Sequence, residues 1–403
     1  MDRSRELIFT SNNKNVLVYN YHLNKACIIS IGTYKNIFES DYSIDNLISN
    51  GIIDDLSISL LIKNGVLFNN YHEYHRLSYA ERLSNRKVEV SLDEVYLHLT
   101  QRCNLRCDYC YNKKNLNDTD FLTTDDILMI GEKLKKIDVK KITFTGGEAL
   151  LRDDLEYITY KFKKMGFKLV LLTNGTKLLK NVKVLDNVDS VIVSLDTLRQ
   201  SSNQRIGLNI ESLTKDLSNI AINYSNKIYI RSVVSSINEH IWKEVERFSI
   251  DNGFKFISNI FIPNNISEVD FMPKIDMIEV DENLLNFSGN ICGGCYKEIS
   301  IDCKGYIYPC QALLNDKFKI VNIFDENWYN LLKESKITEE FKKRNVNNIE
   351  GCKDCEYKYL CGGGCRAIAF NVYDSLDAKA ECICDYHKQI VKKKLEGLLN
   401  IYG

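Results

Sequence analysis

Cys103-Asn104-Leu105-Arg106-Cys107-Asp108-Tyr109-Cys110-Tyr111-Asn112 sets three cysteines in one short stretch, directly after the apolar run Val95 to Leu99. The spacing C-x3-C-x2-C lets the backbone wrap one face of a small inorganic cluster. Thiolates hold iron-sulfur clusters in fours, so a cluster held by three keeps one iron free for another ligand. A structural zinc site would want four closed ligands in paired short spacings, and a fourth cysteine is missing nearby.

Outward from this stretch, residues 88 to 263 alternate strands with helices, the pattern of βα units around a parallel sheet. Strands are expected at Val95 to Thr100, Lys141 to Thr145, Lys168 to Thr173, Ser190 to Ser194, Ile228 to Val234 and Lys255 to Ile262. Helices are expected at Thr124 to Lys136, Asp153 to Met165, Ile210 to Ile222 and Glu239 to Ile250, with stop signals at Gly166 and at Asp251-Asn252-Gly253. Ligand sites in such folds lie at the carboxyl ends of the strands. There the chain places the three cysteines, then Gly146-Gly147-Glu148, then Thr173-Asn174-Gly175, then Ser194-Leu195-Asp196. They converge on one mouth. Glycines at 146 and 147 permit a sharp turn and close approach, and Glu148 presents a carboxylate suited to an ammonium group. Thr173, Asn174, Ser194 and Asp196 offer polar groups for a carboxylate and ribose hydroxyls, and Arg205 a partner for a carboxylate.

Residues 1 to 70 read as a small winged-helix-like unit. Strands at Asn15 to Asn20 and Ala26 to Ile31 precede helical patterns at Tyr34 to Glu39, Ser43 to Ser49 and Ile58 to Lys63, and Gly65 to Phe68 closes it. A polar linker, 71 to 87, and a bridge, 264 to 291, complete the division.

The chain has 53 Lys plus Arg against 54 Asp plus Glu, a net charge of -1, and is 44% hydrophobic, so it is globular without a field that would gather nucleic acid or an anionic membrane. No apolar run reads as a signal peptide or a bilayer span. Its 14 cysteines therefore read as ligands and thiols of a reducing cytoplasm rather than as a disulfide framework. Cys27 reads as a core residue of its strand, and ten cysteines crowd between 292 and 384.

The C-x3-C-x2-C motif followed one strand later by Gly-Gly-Glu resembles the radical SAM superfamily over residues 90 to 262. The resemblance implies an α/β fold, a partial (β/α)6 TIM-like barrel. It implies that Cys103, Cys107 and Cys110 ligate a [4Fe-4S] cluster whose open iron takes S-adenosylmethionine. Gly146, Gly147 and Glu148 would hold the methionine amino group. Tyr109 would lie near adenine, with Ser194, Asp196 and Arg205 on the remainder. The chemistry implied is reductive cleavage of S-adenosylmethionine to a 5'-deoxyadenosyl radical that takes a hydrogen atom from substrate, with an electron donor such as flavodoxin or ferredoxin.

The later cysteines resemble the SPASM extension of such enzymes: Cys292, Cys310 in Gly-Tyr-Ile-Tyr-Pro-Cys, then Cys352, Cys355, Cys361 and Cys365, spaced C-x2-C-x5-C-x3-C, then Cys382 and Cys384. That extension binds auxiliary [4Fe-4S] clusters, here two. By analogy Cys292, Cys310 and Cys365, with Cys295 as fourth ligand or an open iron in its place, hold the first. Cys352, Cys355, Cys361 and Cys384 hold the second, Cys384 being preferred to Cys382 for its Cys-Asp-Tyr-His context. A pair of zinc ribbons is the alternative.

The N-terminal pattern resembles the leader-recognition element of peptide maturases, which binds an extended leader as an added strand. The expected function is modification of a ribosomally made precursor peptide, foremost by thioether bonds of the sactionine or ranthipeptide kind. Carbon-carbon crosslinking, epimerisation and sulfatase-type formylglycine formation are the enzymatic alternatives. A non-catalytic iron-sulfur or zinc scaffold, or an electron-transfer protein, is the other class.

Overall fold

The computed structural model describes residues 1–4, 6–69, 87–117, 119–274 and 292–402. The linker expected at 71 to 87 lies outside the described residues except at Lys87, as does the bridge from residue 275 to 291. The chain divides into two compact units: Met1–Lys87, Ile278–Cys292 and Lys343–Gly403 in one, Val88–Met277 and Gly293–Lys342 in the other.

In the first unit, β1 (Asp2–Arg3) pairs antiparallel with β5 (Leu67–Phe68), while β2 (Leu7–Ser11), β3 (Asn15–Asn20) and β4 (Lys25–Ser30) form an antiparallel meander. Strands β1 and β2 add to the elements expected here, and the expected helices appear as Ile31–Tyr34 with a π-helical continuation, Ile44–Ser49 and Asp55–Lys63. Ser43 and Asp54 cap the last two, each accepting the N–H three residues on. Alternation along β3 feeds two cores. Val16 and Val18, with Cys27 and Ile29 of β4, pack on Ile37, Leu47 and Leu61. Leu17 and Tyr19 face the other way, against Val391, Leu395 and Leu399 of the long helix Glu381–Tyr402. A strand buried on both faces is apolar at successive positions, as at Val16, Leu17, Val18 and Tyr19.

The second unit is built on a sheet whose strand order is β13-β12-β10-β9-β8-β6-β14-β15. Six strands, β6 (Glu94–His98), β8 (Lys141–Thr145), β9 (Lys168–Thr173), β10 (Ser190–Ser194), β12 (Ile228–Val234) and β13 (Lys255–Ile260), run parallel. This is the expected partial barrel. Helices Thr124–Lys136, Leu155–Lys164, Ile210–Tyr224 and Trp242–Asp251 connect the strands. Thr123 opens the first with a capping box closed by Asp126. One face of each strand, including Val95, Leu97, Ile142, Phe144, Val191, Val193, Ile228 and Ile230, meets the helices in a single core. The last two strands were not foreseen as part of this sheet. β14 (Glu298–Ile301) lies parallel to β6, and β15 (Ile307–Tyr308) pairs antiparallel with β14, so a hairpin from the cysteine-rich region extends the barrel sheet. Among the described residues no helix is long and apolar enough to cross a membrane.

Candidate radical and cluster site

The three cysteines leave the carboxyl end of β6 on a loop tied down at several points. β7 (Arg106–Cys107) pairs antiparallel with β11 (Arg205–Ile206), in the register Arg205 to Cys107. Asn104 exchanges side-chain hydrogen bonds with Asn174 (3.0 Å) and Thr176 (2.8 Å), and the Arg102 guanidinium meets Asp120 at 2.6 Å. All three cysteines are partly buried. Burial pushes their thiols up, Cys107 to about 11 even though Arg205 pulls the other way, and Cys103 and Cys110 are both close enough to influence it.

The Gly-Gly-Glu turn follows β8. Gly146 has φ of +137°, and a Cβ there would lie 2.3 Å from the Thr100 carbonyl oxygen; one on Gly147 would lie 2.1 Å from that of Arg102. The close approach these glycines allow is thus to the chain's own backbone at the base of the cysteine loop, where Gly147 N–H donates to Thr100 and Glu148 N–H to Arg102. Glu148 is 1% exposed. Its carboxylate accepts from Thr173 Oγ1 (2.7 Å), Asn174 N–H (2.7 Å) and Leu150 N–H (3.0 Å), binding the ends of β8 and β9 together. Burial raises its pKa against the effect of those three donors.

Tyr109, partly buried, and the buried Asp196 and Arg205 cluster beside Cys107. Asp196 accepts from Arg205 Nε (2.8 Å) and Nη2 (3.3 Å), from Val233 N–H (2.8 Å) and from the Tyr109 hydroxyl. The Arg205 guanidinium sits over the Tyr109 ring, 5.4 Å from its centroid, and Phe261 meets that ring edge-on. Burial opposes the charge on Arg205, but Asp196, Tyr109 and Cys107 outweigh it and hold it protonated. Ser194, at the end of β10, stands beside Arg231 in the ladder.

Sequence reasoning missed what lines the inner face of the sheet. Arg231 on β12 is partly buried, with its Nε, itself shielded from solvent, lacking a hydrogen-bond partner. Burial disfavours its charge, and the groups that support it are the Tyr96 and Tyr111 hydroxyls and Glu94. His98 is 3% exposed, has an unpartnered Nε2 and packs edge-on against Tyr111, ring centroids 6.4 Å apart. Strand alternation carried the signal: Tyr96, His98 and Arg231 occupy the positions between those that feed the helix-facing core.

In the first unit, a cavity of about 360 Å³ is lined by Cys352, Cys355, Cys361 and Cys384, with Lys379 and His387 among its walls. Cys382 does not line it, and its N–H instead donates to the Tyr373 hydroxyl at 2.9 Å. Gly362, Gly363 and Gly364 all have positive φ, which curls the chain between Cys361 and Cys365. Cys292 and Cys365 belong to this unit, Cys295 and Cys310 to the other. Cys295 is fully buried with φ of +69°, a conformation that costs a side-chain-bearing residue energy. Cys27 lies in the core of its sheet, and Cys303 is buried with its thiol pushed up to about 12 by burial.

Residues 97–233 match the model of the Radical SAM superfamily, and residues 292–356 match that of SPASM, an iron-sulfur cluster-binding domain. The chain carries a radical SAM domain and a SPASM domain. The same fold recurs in solved structures. Streptococcus suis SuiB bound to its precursor peptide SuiA superposes with a TM-score of 0.61 at 16% identity, covering 95% of this chain and 99% of SuiB. Hexahistidine-tagged anSMEcpe with bound AdoMet gives 0.63 at 19% identity, covering 76% of this chain and 98% of the other. In sequence, a cysteine-type anaerobic sulfatase-maturating enzyme of Clostridium perfringens is 30% identical over 109 residues, 27% of this chain. The chain thus aligns with 29% of the length of that relative. A GTP 3',8-cyclase of the same species is 26% identical over 69% of this chain and 99% of its own.

The radical SAM domain implies S-adenosylmethionine and a [4Fe-4S] cluster, and the SPASM domain implies auxiliary iron-sulfur clusters. The residues present fit these groups. Three thiols share one pinned loop, and four thiols line one cavity large enough for a cluster. Among the described residues no three potential ligands converge on one bare ion.

Proposed function

We propose that this protein is a maturase that modifies a ribosomally made precursor peptide, foremost by forming thioether bonds from cysteine. The observation that carries the reading is the extent of the fold likeness. Peptide-bound SuiB covers 95% of the chain, against 76% for anSMEcpe.

In this reading Cys103, Cys107 and Cys110 hold the radical SAM cluster. Gly146, Gly147, Glu148, Tyr109, Thr173, Asn174, Ser194, Asp196 and Arg205 surround S-adenosylmethionine. Of these, Glu148 acts by fixing the ends of β8 and β9, and Arg205 by setting a positive charge beside Cys107. When bound, cluster and S-adenosylmethionine supply a carbon radical that abstracts hydrogen from the peptide. Cys292, Cys295, Cys310 and Cys365 hold one auxiliary cluster, and Cys352, Cys355, Cys361 and Cys384 the other. The N-terminal unit supports leader binding: its meander has no further strand on the outer edges of β2 and β4 among the described residues. Leu56 (82% exposed) and Leu60 (41%) lie one turn apart on the helix Asp55–Lys63, an apolar stripe suited to an extended peptide. A reductant such as flavodoxin or ferredoxin would feed the site, in the cytoplasm.

Formylglycine formation is the second reading, favoured by the sulfatase-maturating relative. The test is anaerobic incubation of the iron-loaded protein with S-adenosylmethionine, dithionite and a synthetic cysteine-containing peptide taken from the small open reading frames that neighbour its gene. Thioether formation should yield 5'-deoxyadenosine and a product lacking two hydrogens that resists both alkylation and reduction. A hydrazide-reactive aldehyde would establish formylglycine instead. Intact, iron-loaded protein that fails to cleave S-adenosylmethionine would sink both and leave the scaffold or electron-transfer class.

A further inference from the structure

Arg366 is the largest fully buried side chain among the described residues, 1% exposed. It follows Cys365 and opens the helix Arg366–Tyr373. Its Nη1 donates to the carbonyls of Leu376 (3.0 Å) and Ala378 (2.8 Å), its Nη2 to that of Gly363, and its Nε to that of Gly364 at 3.3 Å. Gly363 and Gly364 line the cavity of Cys352, Cys355, Cys361 and Cys384, so the guanidinium ties that wall to the segment Leu376 to Ala378, which leads into the lining residues Lys379 and Ala380. Carbonyl dipoles satisfy the N–H groups but leave the net charge uncancelled. Among the described residues no carboxylate pairs with Arg366.

A buried guanidinium without an opposite charge is strongly disfavoured. Here its neighbours are the cluster cysteines: Cys365 precedes it in the chain, and the Gly363 and Gly364 carbonyls it binds lie between Cys361 and Cys365 and line the cavity of Cys352, Cys355, Cys361 and Cys384. Cys352, Cys292 and Cys365 favour its charge, and Arg344 opposes it. As free thiols they are neutral. As ligands of four-iron clusters they belong to anionic assemblies, and a fixed cation beside such an assembly favours the form with one more electron.

We propose that Arg366 is the shared counter-cation of the two auxiliary clusters, a positioning residue that raises the reduction potential of both. This rests on the reading of the SPASM cysteines as ligands of two clusters, with Cys352 in one set and Cys292 and Cys365 in the other.

The test uses the full chain carrying Cys103→Ala, Cys107→Ala and Cys110→Ala, which removes the radical SAM cluster, reconstituted anaerobically. Iron and sulfide are counted, and the clusters are titrated potentiometrically by electron paramagnetic resonance. About eight irons per chain should bind. Binding of fewer than two clusters by this parent would overturn the ligand reading, and the inference with it, before Arg366 is touched. With two clusters bound, Arg366→Gln should shift both midpoint potentials to more negative values, and Arg366→Lys should move them back towards the parent. Unchanged potentials at full iron loading, or a shift in one cluster alone, would overturn the proposal. Should Arg366→Gln lose iron, Arg366→Lys decides: full loading with parental potentials supports the charge role, whereas equal loss assigns Arg366 to clamping the loop and overturns it.

Discussion

Arg205 stands opposite Cys107 in the β7–β11 ladder, with its Nη1 3.9 Å from the Cys107 sulfur and its Nε 2.8 Å from Asp196. The pairing of two short strands therefore brings a fixed positive charge to the middle cysteine and buries its counter-ion. Replacing Arg205 with Ala leaves the Asp196 carboxylate buried, still bonded to Val233 and Tyr109 but without a cation. Breaking a buried pair in this way costs about 3–5 kcal/mol, which urea denaturation of the apo-protein would measure. A loss under about 1 kcal/mol would mean that water reaches Asp196 freely.

Gly147→Ala tests the seat of the cysteine loop. The new methyl would fall 2.1 Å from the Arg102 carbonyl oxygen and 2.9 Å from that of Gln101, both backbone atoms that cannot rotate away. The variant should lose about 1–3 kcal/mol of stability and release the iron proposed to sit on Cys103, Cys107 and Cys110 while the SPASM iron stays. Gly51→Ala is the control. Its φ is +63° with nothing within 4 Å of the added carbon, so it should cost about 1 kcal/mol and no iron. Equal iron retention in the two variants would refute the seating role.

His98 predicts a loss of stability in mild acid. Burial pulls its pKa from 6.5 to about 4, so the native state resists a proton that the unfolded chain accepts. At pH above about 6.5 His98 contributes no pH dependence; as pH falls from there towards 4 it should drain about 3 kcal/mol, and below 4 the loss levels off. His98→Phe should flatten that part of the stability profile. An unchanged profile would place the acid sensitivity elsewhere.

Cys384→Ala and Cys382→Ala separate two neighbours on one helix. Cys384 lines the cavity with Cys352, Cys355 and Cys361, whereas Cys382 is engaged at Tyr373. The first substitution should lose about four irons per chain and the second none. Reversal of that order would move the last ligand two residues back along the helix.

How far the sequence could be read depended on what kind of contact decided each feature. The six parallel strands were legible within a few residues because their helix-facing positions are Val, Ile, Leu and Phe at period two. Convergence of the cysteines, Gly-Gly-Glu and Ser194-Leu195-Asp196 followed from their places at strand ends. Pairing partners carried no such mark: nothing in Glu298–Ile301 says that it will lie beside β6, and Leu7–Ser11, partly exposed on an edge, lacks a strong alternation. Glu148 and Arg231 show the same limit at the site. A carboxylate after two glycines and an arginine in a strand are visible, but that one takes three protein hydrogen bonds and the other is left with an unpartnered nitrogen is decided by packing.

The helix Glu381–Tyr402 has a consequence for how the molecule is made. It supplies Val391, Leu395 and Leu399 to the face of β3 that carries Leu17 and Tyr19. Strand β3 therefore cannot finish its core until a helix that follows the whole barrel in the sequence has been synthesised. A nascent meander with one wet apolar face must wait through the whole barrel. Replacing Leu395 and Leu399 with polar residues should thus appear as a defect of the sheet that holds Leu17 and Tyr19.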